Sequence, residues 1–172
     1  MVRTFAWYVL AAFVISSPGC AGSQPATQDA ASKDEVVEAY VELNPVRSRN
    51  IRGVIEFESV DHGLLLKGHV KGLSYGRQGF GVLARSECLT PEGKAGNFFD
   101  PDQTKGRPLG DLGNIVGEQS GVTRIHQVET KLSLEGPASI IGKTLGITLW
   151  PNEPETDPNE VPLAACGVIR AK

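Results

Sequence analysis

The chain has 172 residues, 22% of them charged and 40% hydrophobic, with a formal net charge of −3. That length suits one domain with a modest single core, and the slight acidic excess suggests no nucleic-acid surface, which would need a clustered basic excess. With 20 Gly and 11 Pro against 6% aromatics, the composition favours many turns and short strands over long helices.

The chain opens on Arg3 and an apolar run from Phe5 to Ile15, too short to span a bilayer. Ser16, Ser17, Pro18 and Gly19 then lead to Cys20. Residues 1–19 read as a secretory signal peptide. The Gly19-Cys20 junction resembles a bacterial lipobox, whose cysteine is lipidated, although Ser17 stands where such boxes carry Leu. Residues 20–35, rich in Ala, Ser, Gln and Pro, have the composition of a flexible lipoprotein tether. The folded domain is expected over residues 36–172. The expected location is the cell envelope, on the outer membrane facing the periplasm, held by lipid on Cys20.

The chain has 3 cysteines. With Cys20 assigned to lipid, Cys88 and Cys166 remain, and in an oxidising compartment they are most simply a disulfide, the alternative being two buried thiols.

Val37, Ala39, Val41 and Leu43 alternate with the period of a half-buried strand. A second run covers Gly53 to Val60, Asp61-His62-Gly63 signals a hairpin, and Leu64, Leu66 and Val70 continue the next strand. Lys71-Gly72-Leu73 ends it, and Phe80 and Val82 open another. Residues 89–113 lack periodicity and are studded with Pro and Gly, so that this stretch is functional or anchored by something else. Strands return over Val122 to Leu134 and Ile140 to Trp150. A second loop, Pro151 to Pro162, is acidic and proline-rich, and Cys166-Gly-Val-Ile closes the domain. With about eight strands, no helix pattern and no repeat, the fold class is all-β, an antiparallel sandwich or barrel.

Several stretches in order resemble one family. Gly110-Asp-Leu-Gly-Asn114 is followed by Leu132-Ser-Leu134, Gly136-Pro-Ala-Ser-Ile-Ile-Gly142 and Ala165-Cys-Gly-Val-Ile169, while Lys71-Gly-Leu73 and Gly76 to Phe80 precede them. Together, from about Val37 to Ile169, they are similar to the copper/zinc superoxide dismutases. The resemblance implies the Greek-key barrel with two long loops, and it puts Cys88 at the family's disulfide position.

The resemblance also implies copper held by histidines, one of them bridging to zinc, with zinc completed by two further histidines and an aspartate. Here the copper positions fall on Gly81, Leu83 and Thr148, the bridging position on Phe98, and the two other zinc histidines on Lys105 and Pro108. The zinc aspartate remains as Asp111. The supporting carboxylate of the last loop is Asn152, and the anion-guiding arginine is Leu163. Gly, Leu and Phe offer no donor atom, and Lys105 adds a cation where two would sit. No copper, zinc or other cofactor is therefore expected. No catalytic residue is assigned.

His62, His69 and His126 fall on no ligand position. Each is expected to be exposed or hydrogen-bonded, with a relocated site built from Asp100, Asp102 or Asp111 as the alternative. Asp111 is expected to accept backbone hydrogen bonds in a tight turn. Trp150 either caps the former copper pocket or covers the barrel rim, and Glu153 to Glu160 reads as a solvated loop. The leading function is a dismutase-like, non-catalytic binding or structural module of the envelope. The alternative is a dismutase-related redox or metal protein with a relocated site. A metallochaperone lacks its CxxC or Met cluster. No nucleic acid is expected, the protein partner is open, and so is a homodimer.

Overall fold

The structure, a computed structural model, describes residues 37–46, 50–90, 93–103, 105–153 and 162–172. The proposed signal peptide, Cys20 and the tether lie outside them. The described residues all belong to one compact unit, Lys33–Lys172, and contain no helix.

The strands are β1 (Glu38–Pro45), β2 (Arg52–Val60), β3 (Gly63–Lys71), β4 (Gly76–Leu83), β5 (Asp111–Gly117), β6 (Val122–Glu129), β7 (Thr144–Thr148), β8 (Leu163–Val168) and the short β9 (Arg170–Ala171). Pairing runs β5-β4-β7-β8-β1-β2-β3-β6, with β9 added to β1. Every pair is antiparallel. Only the β5–β6 seam is unpaired, so the eight main strands form a nearly closed barrel.

Alternation decides which side chains fill it. Ala39, Val41 and Leu43 of β1, Ile55 and Phe57 of β2, and Leu64, Leu66 and Val70 of β3 point inward, and all are buried. They meet Phe80, Val82, Ile115, Ile125, Leu145 and Ile147 in one core. The Asp61-His62 turn joins β2 to β3 where the hairpin signal stands. Gly63 follows it at φ 140, where an added Cβ would run into the Glu129 carbonyl of β6.

Strand limits depart from the periodicity where burial is not strand burial. Leu132 and Leu134 are buried, yet β6 ends at Glu129, and the two leucines reach the core from irregular backbone joined by a Ser133–Ser139 bridge. Ile140 is likewise buried ahead of β7. Residues 89–113 are anchored, as their lack of periodicity requires. Cys88 and Cys166 form a disulfide with Cα atoms 5.7 Å apart, which removes the alternative of two thiols. Disulfides persist in oxidising compartments, which fits an exported protein.

β7 has no exposed residue, although a strand of an antiparallel barrel normally wets one face. Its outer face is covered by a second cluster, Val46, Leu83, Ala95, Leu163 and Cys166, against which Cys88, Leu89 and Phe98 pack. That cover is where the site lies.

Candidate functional site

The β4–β5 register shifts between Phe80 and Gly81. The bulge leaves backbone groups of β4 for the long loop to take. Val82 N–H donates to the Gly110 carbonyl (2.7 Å), Phe99 N–H to the Val82 carbonyl (2.8 Å), and Ala84 N–H to the Asn97 carbonyl (2.9 Å). These bonds draw residues 97–99 over the outer face of β4, where Phe98 bridges Leu83.

Gly81 pairs with Gly146 of β7, and two adjacent glycines leave a trough on that face. Phe98 fills one side of it. A Cβ built on Gly81 would lie 2.5 Å from Phe98 Cε1 and 2.6 Å from the Gly110 carbonyl. Leu163 and Leu83 fill the other, at 2.9 and 3.4 Å from a Cβ on Gly146. Leu83, Phe98 and Leu163 thus meet in one apolar plug. Gly81 is part of the fit, because no larger residue leaves room for the ring.

Beside the plug, Asp111 and Asn152 form a polar clasp. Asp111 Oδ1 accepts from the Gly113 N–H at 3.0 Å, the turn contact expected of it, and Asp111 Oδ2 pairs with Arg107 Nε at 2.9 Å. Asn152 Nδ2 donates to Asp111 Oδ1 (2.9 Å) and the Gly113 carbonyl (3.0 Å), with the Phe80 carbonyl at 3.3 Å. Its backbone N–H donates to Asn114 Oδ1 at 2.7 Å, and Asn114 Nδ2 returns a bond to the Asn152 carbonyl at 3.2 Å. Thr148, buried, donates its hydroxyl to the Trp150 carbonyl at 2.6 Å. Gly79 is held clear of side chain by Asn152 Oδ1 and Thr148 Oγ1, which occupy the space beside its Cα.

The other candidates do not join. Lys105 is exposed, and Pro108 is half-buried, its carbonyl accepting from the Asp111 N–H at 3.1 Å. His62, His69 and His126 are exposed, on the β2–β3 turn, β3 and β6 respectively. Among the described residues no three His, Cys, Asp or Glu side chains gather as a metal would require. Trp150 is exposed and does not line the groove of about 1300 Å³ that opens between the loop and β4–β5 past Phe98, Pro108 and Asn152. Most of the acidic run from Glu153 to Glu160 lies outside the described residues. Nothing in the sequence alone announced the contact of Leu83, Phe98 and Leu163. The usable signal was three apolar replacements beside a glycine in positions that converge in the family.

A nearly closed antiparallel barrel with a bulged β4, a disulfide-tied long loop and a Gly-Asp-Leu-Gly-Asn turn defines a dismutase-type fold. Residues 51–169 match the model of the copper/zinc superoxide dismutase family, and the chain belongs to that family. It is 36% identical over 103 residues to an extracellular Cu-Zn superoxide dismutase of Brugia pahangi, covering 56% of this chain and 52% of that protein. It is 33% identical over 105 residues to a Cu-Zn superoxide dismutase A of Xenopus laevis, covering 56% of this chain and 69% of that one. The match thus spans about half the length of the Brugia protein. A crystal structure of the clock protein EA4 superposes with a TM-score of 0.68 at 27% identity, over 80% of this chain and 96% of that one.

These relatives correct one expectation. Both are named as copper–zinc proteins, and the family that the chain belongs to carries the same two metals in its name. An expectation of no cofactor does not follow from membership. It rested on six side chains at known positions, which is an argument about those positions and not about the whole chain. At the positions themselves the fit is poor. Gly81, Leu83 and Phe98 bring no donor, Pro108 brings none from its side chain, and Thr148 brings a neutral hydroxyl, a weak ligand beside an imidazole, turned toward the Trp150 carbonyl. Asp111 alone of the set is a metal-binding type, and its carboxylate is engaged by Arg107, Gly113 and Asn152.

Proposed function

We propose that the domain works as a non-catalytic binding or structural module on a dismutase scaffold. One observation carries this reading. The face that would present a reacting centre is filled by Leu83, Phe98 and Leu163, packed into the trough over Gly81 and Gly146. Dismutation needs an open position where a small anion reaches a redox centre and a cation to guide it there. Leu163 at the guiding position supplies neither charge nor opening, being 3% exposed. A fold outlives its reaction because function resides in the site.

The test is the reaction. Protein purified from copper- and zinc-replete cells is expected to show no dismutation above a protein-free control, with metal content measured on the same sample. Dismutation that a chelator abolishes overturns the reading.

The module is proposed to be exported and anchored. Residues 1–19 act as signal peptide, Cys20 carries lipid and 20–35 tether the domain to the envelope, facing the periplasm. The disulfide supports export, as does the extracellular relative from Brugia. Mass spectrometry of the mature N-terminus is expected to find acylated Cys20. A free amino group downstream of Cys20 on a soluble protein contradicts the anchor.

A further inference from the structure

Alternate residues of a strand face opposite sides of the sheet, and the outer face of β1-β2-β3-β6 sorts its charges by strand. Register sets Glu58, Glu56, Val54 and Arg52 of β2 against Leu65, Lys67, His69 and Lys71 of β3. Those four in turn stand against Val128, His126, Arg124 and Val122 of β6. On the far side, β1 adds Glu38 and Glu42. Carboxylates therefore collect on β1 and β2, and cations on β3 and β6.

Of the four carboxylates, Glu38, Glu56 and Glu58 are answered within the chain. Lys67 pairs with Glu58 at 2.8 Å, and Lys172 reaches Glu56 at 2.7 Å and Glu38 at 3.3 Å. The basic half is not. His69, Lys71, Arg124 and His126 are exposed and have no ion pair or side-chain hydrogen bond among the described residues.

We propose that this strip binds a linear polyanion, an anionic polysaccharide lying along β3 and β6. Its shape selects the partner. From Lys67 to Lys71 it is about 13 Å long, and it is about 5 Å across, one strand spacing, with Glu56 and Glu58 along its border. A planar anionic membrane would meet those carboxylates together with the cations, whereas a single chain following the strands meets the cations alone. No aromatic side chain stands on the strip, so single-stranded nucleic acid finds no stacking platform. Arg124 offers a planar fork and Lys71 a point charge to sulfate, phosphate or carboxylate groups.

The experiment uses the full chain with Cys20→Ser, so that no lipid brings it to a surface. Binding is measured to dextran sulfate, uncharged dextran, oligodeoxythymidylate and phosphatidylglycerol vesicles at neutral pH and low salt. Dextran sulfate is expected to bind and to weaken with added salt, as counterion release requires. Lys71→Ala with Arg124→Ala is expected to lose about ten-fold or more at unchanged melting temperature. Lys71→Arg with Arg124→Lys keeps the binding, and Lys94→Ala on the disulfide loop leaves it unchanged. The proposal is overturned if dextran sulfate does not bind, if the double alanine variant binds as well as the parent, or if vesicles or oligonucleotide bind as tightly as dextran sulfate.

Discussion

The side-chain amide of Asn152 is a donor, and the three oxygens it meets, on Asp111, Gly113 and Phe80, can only accept. A carboxylate in its place has nothing to donate and sets a second negative charge against Asp111. Asn152→Asp is therefore expected to destabilise the fold by about 2 to 3 kcal/mol at neutral pH, the order of a partly buried polar group left without its partner. The sign of its pH dependence follows. Two carboxyl groups in contact share one proton more readily when folded than unfolded, so the folded pKa of the pair is raised. The deficit is absent below the ordinary carboxylate range and grows as pH rises through it. Urea unfolding of the variant across that range checks this, and a deficit that does not change with pH contradicts it. Asn152 and Leu163 were legible as departures from the family's residues. What each had become was not, since an amide's partners and a leucine's neighbours are set by folding that brings residues about 40 or 80 positions apart into contact.

At the scale of elements, strand existence was legible where burial and backbone period coincide, as in β1, with Ala39, Val41 and Leu43 buried, and over most of β2 and β3. It failed where an apolar residue is buried from irregular backbone, as with Leu132 and Leu134, and where both faces of a strand are covered, as in β7. The edge formed by β1, β2 and the C-terminus is held by charge. The Lys172 ammonium, hydrogen-bonded to Glu56, holds the Glu56 carboxyl below its ordinary value, and the same bond raises Lys172. A depressed carboxyl contributes stability above its unfolded pKa and loses it as pH falls. Glu129 of β6 is opposite in sign, since burial raises its pKa against the hydrogen bond from Gln127. It favours the fold below the unfolded glutamate value, and that contribution is lost as pH rises through the folded one. In Lys172→Ala the Glu56 resonance is expected to titrate at higher pH than in the parent, while Glu129 titrates unchanged. Both groups of the Glu56 pair are exposed, so the shift should shrink with salt. A Glu56 midpoint that ignores both substitution and salt rules out the Lys172–Glu56 pair.

At the scale of the whole molecule, the barrel is nearly closed by hydrogen bonds, but its second cluster depends on a covalent tie. β8 meets β1 through only the Asn44–Cys166 and Pro45–Ala165 pairs, and Cys166 also anchors the loop that carries Phe98 over the trough. The Cys88–Cys166 bond links residues 78 apart in sequence. In the chain-entropy model a crosslink of that span stabilises the folded state by about 4 to 5 kcal/mol, through the freedom it removes from the unfolded chain. The effect of breaking it should not be uniform. The inner core of Phe57, Phe80, Leu64 and Ile147 does not touch the bond, whereas Cys88 and Cys166 both belong to the outer cluster with Leu83, Leu163 and Phe98. Cys88→Ala with Cys166→Ala is therefore expected to lower the melting temperature, and to lose hydrogen-exchange protection first at the amides of Val82, Ala84 and Phe99, which hold the loop to β4. The amides of β2 and β3 should keep the protection of global unfolding. Equal loss at both sets would mean that the loop and the barrel unfold as one unit, and full alkylation of both thiols in the native parent would mean that the tie is not formed at all.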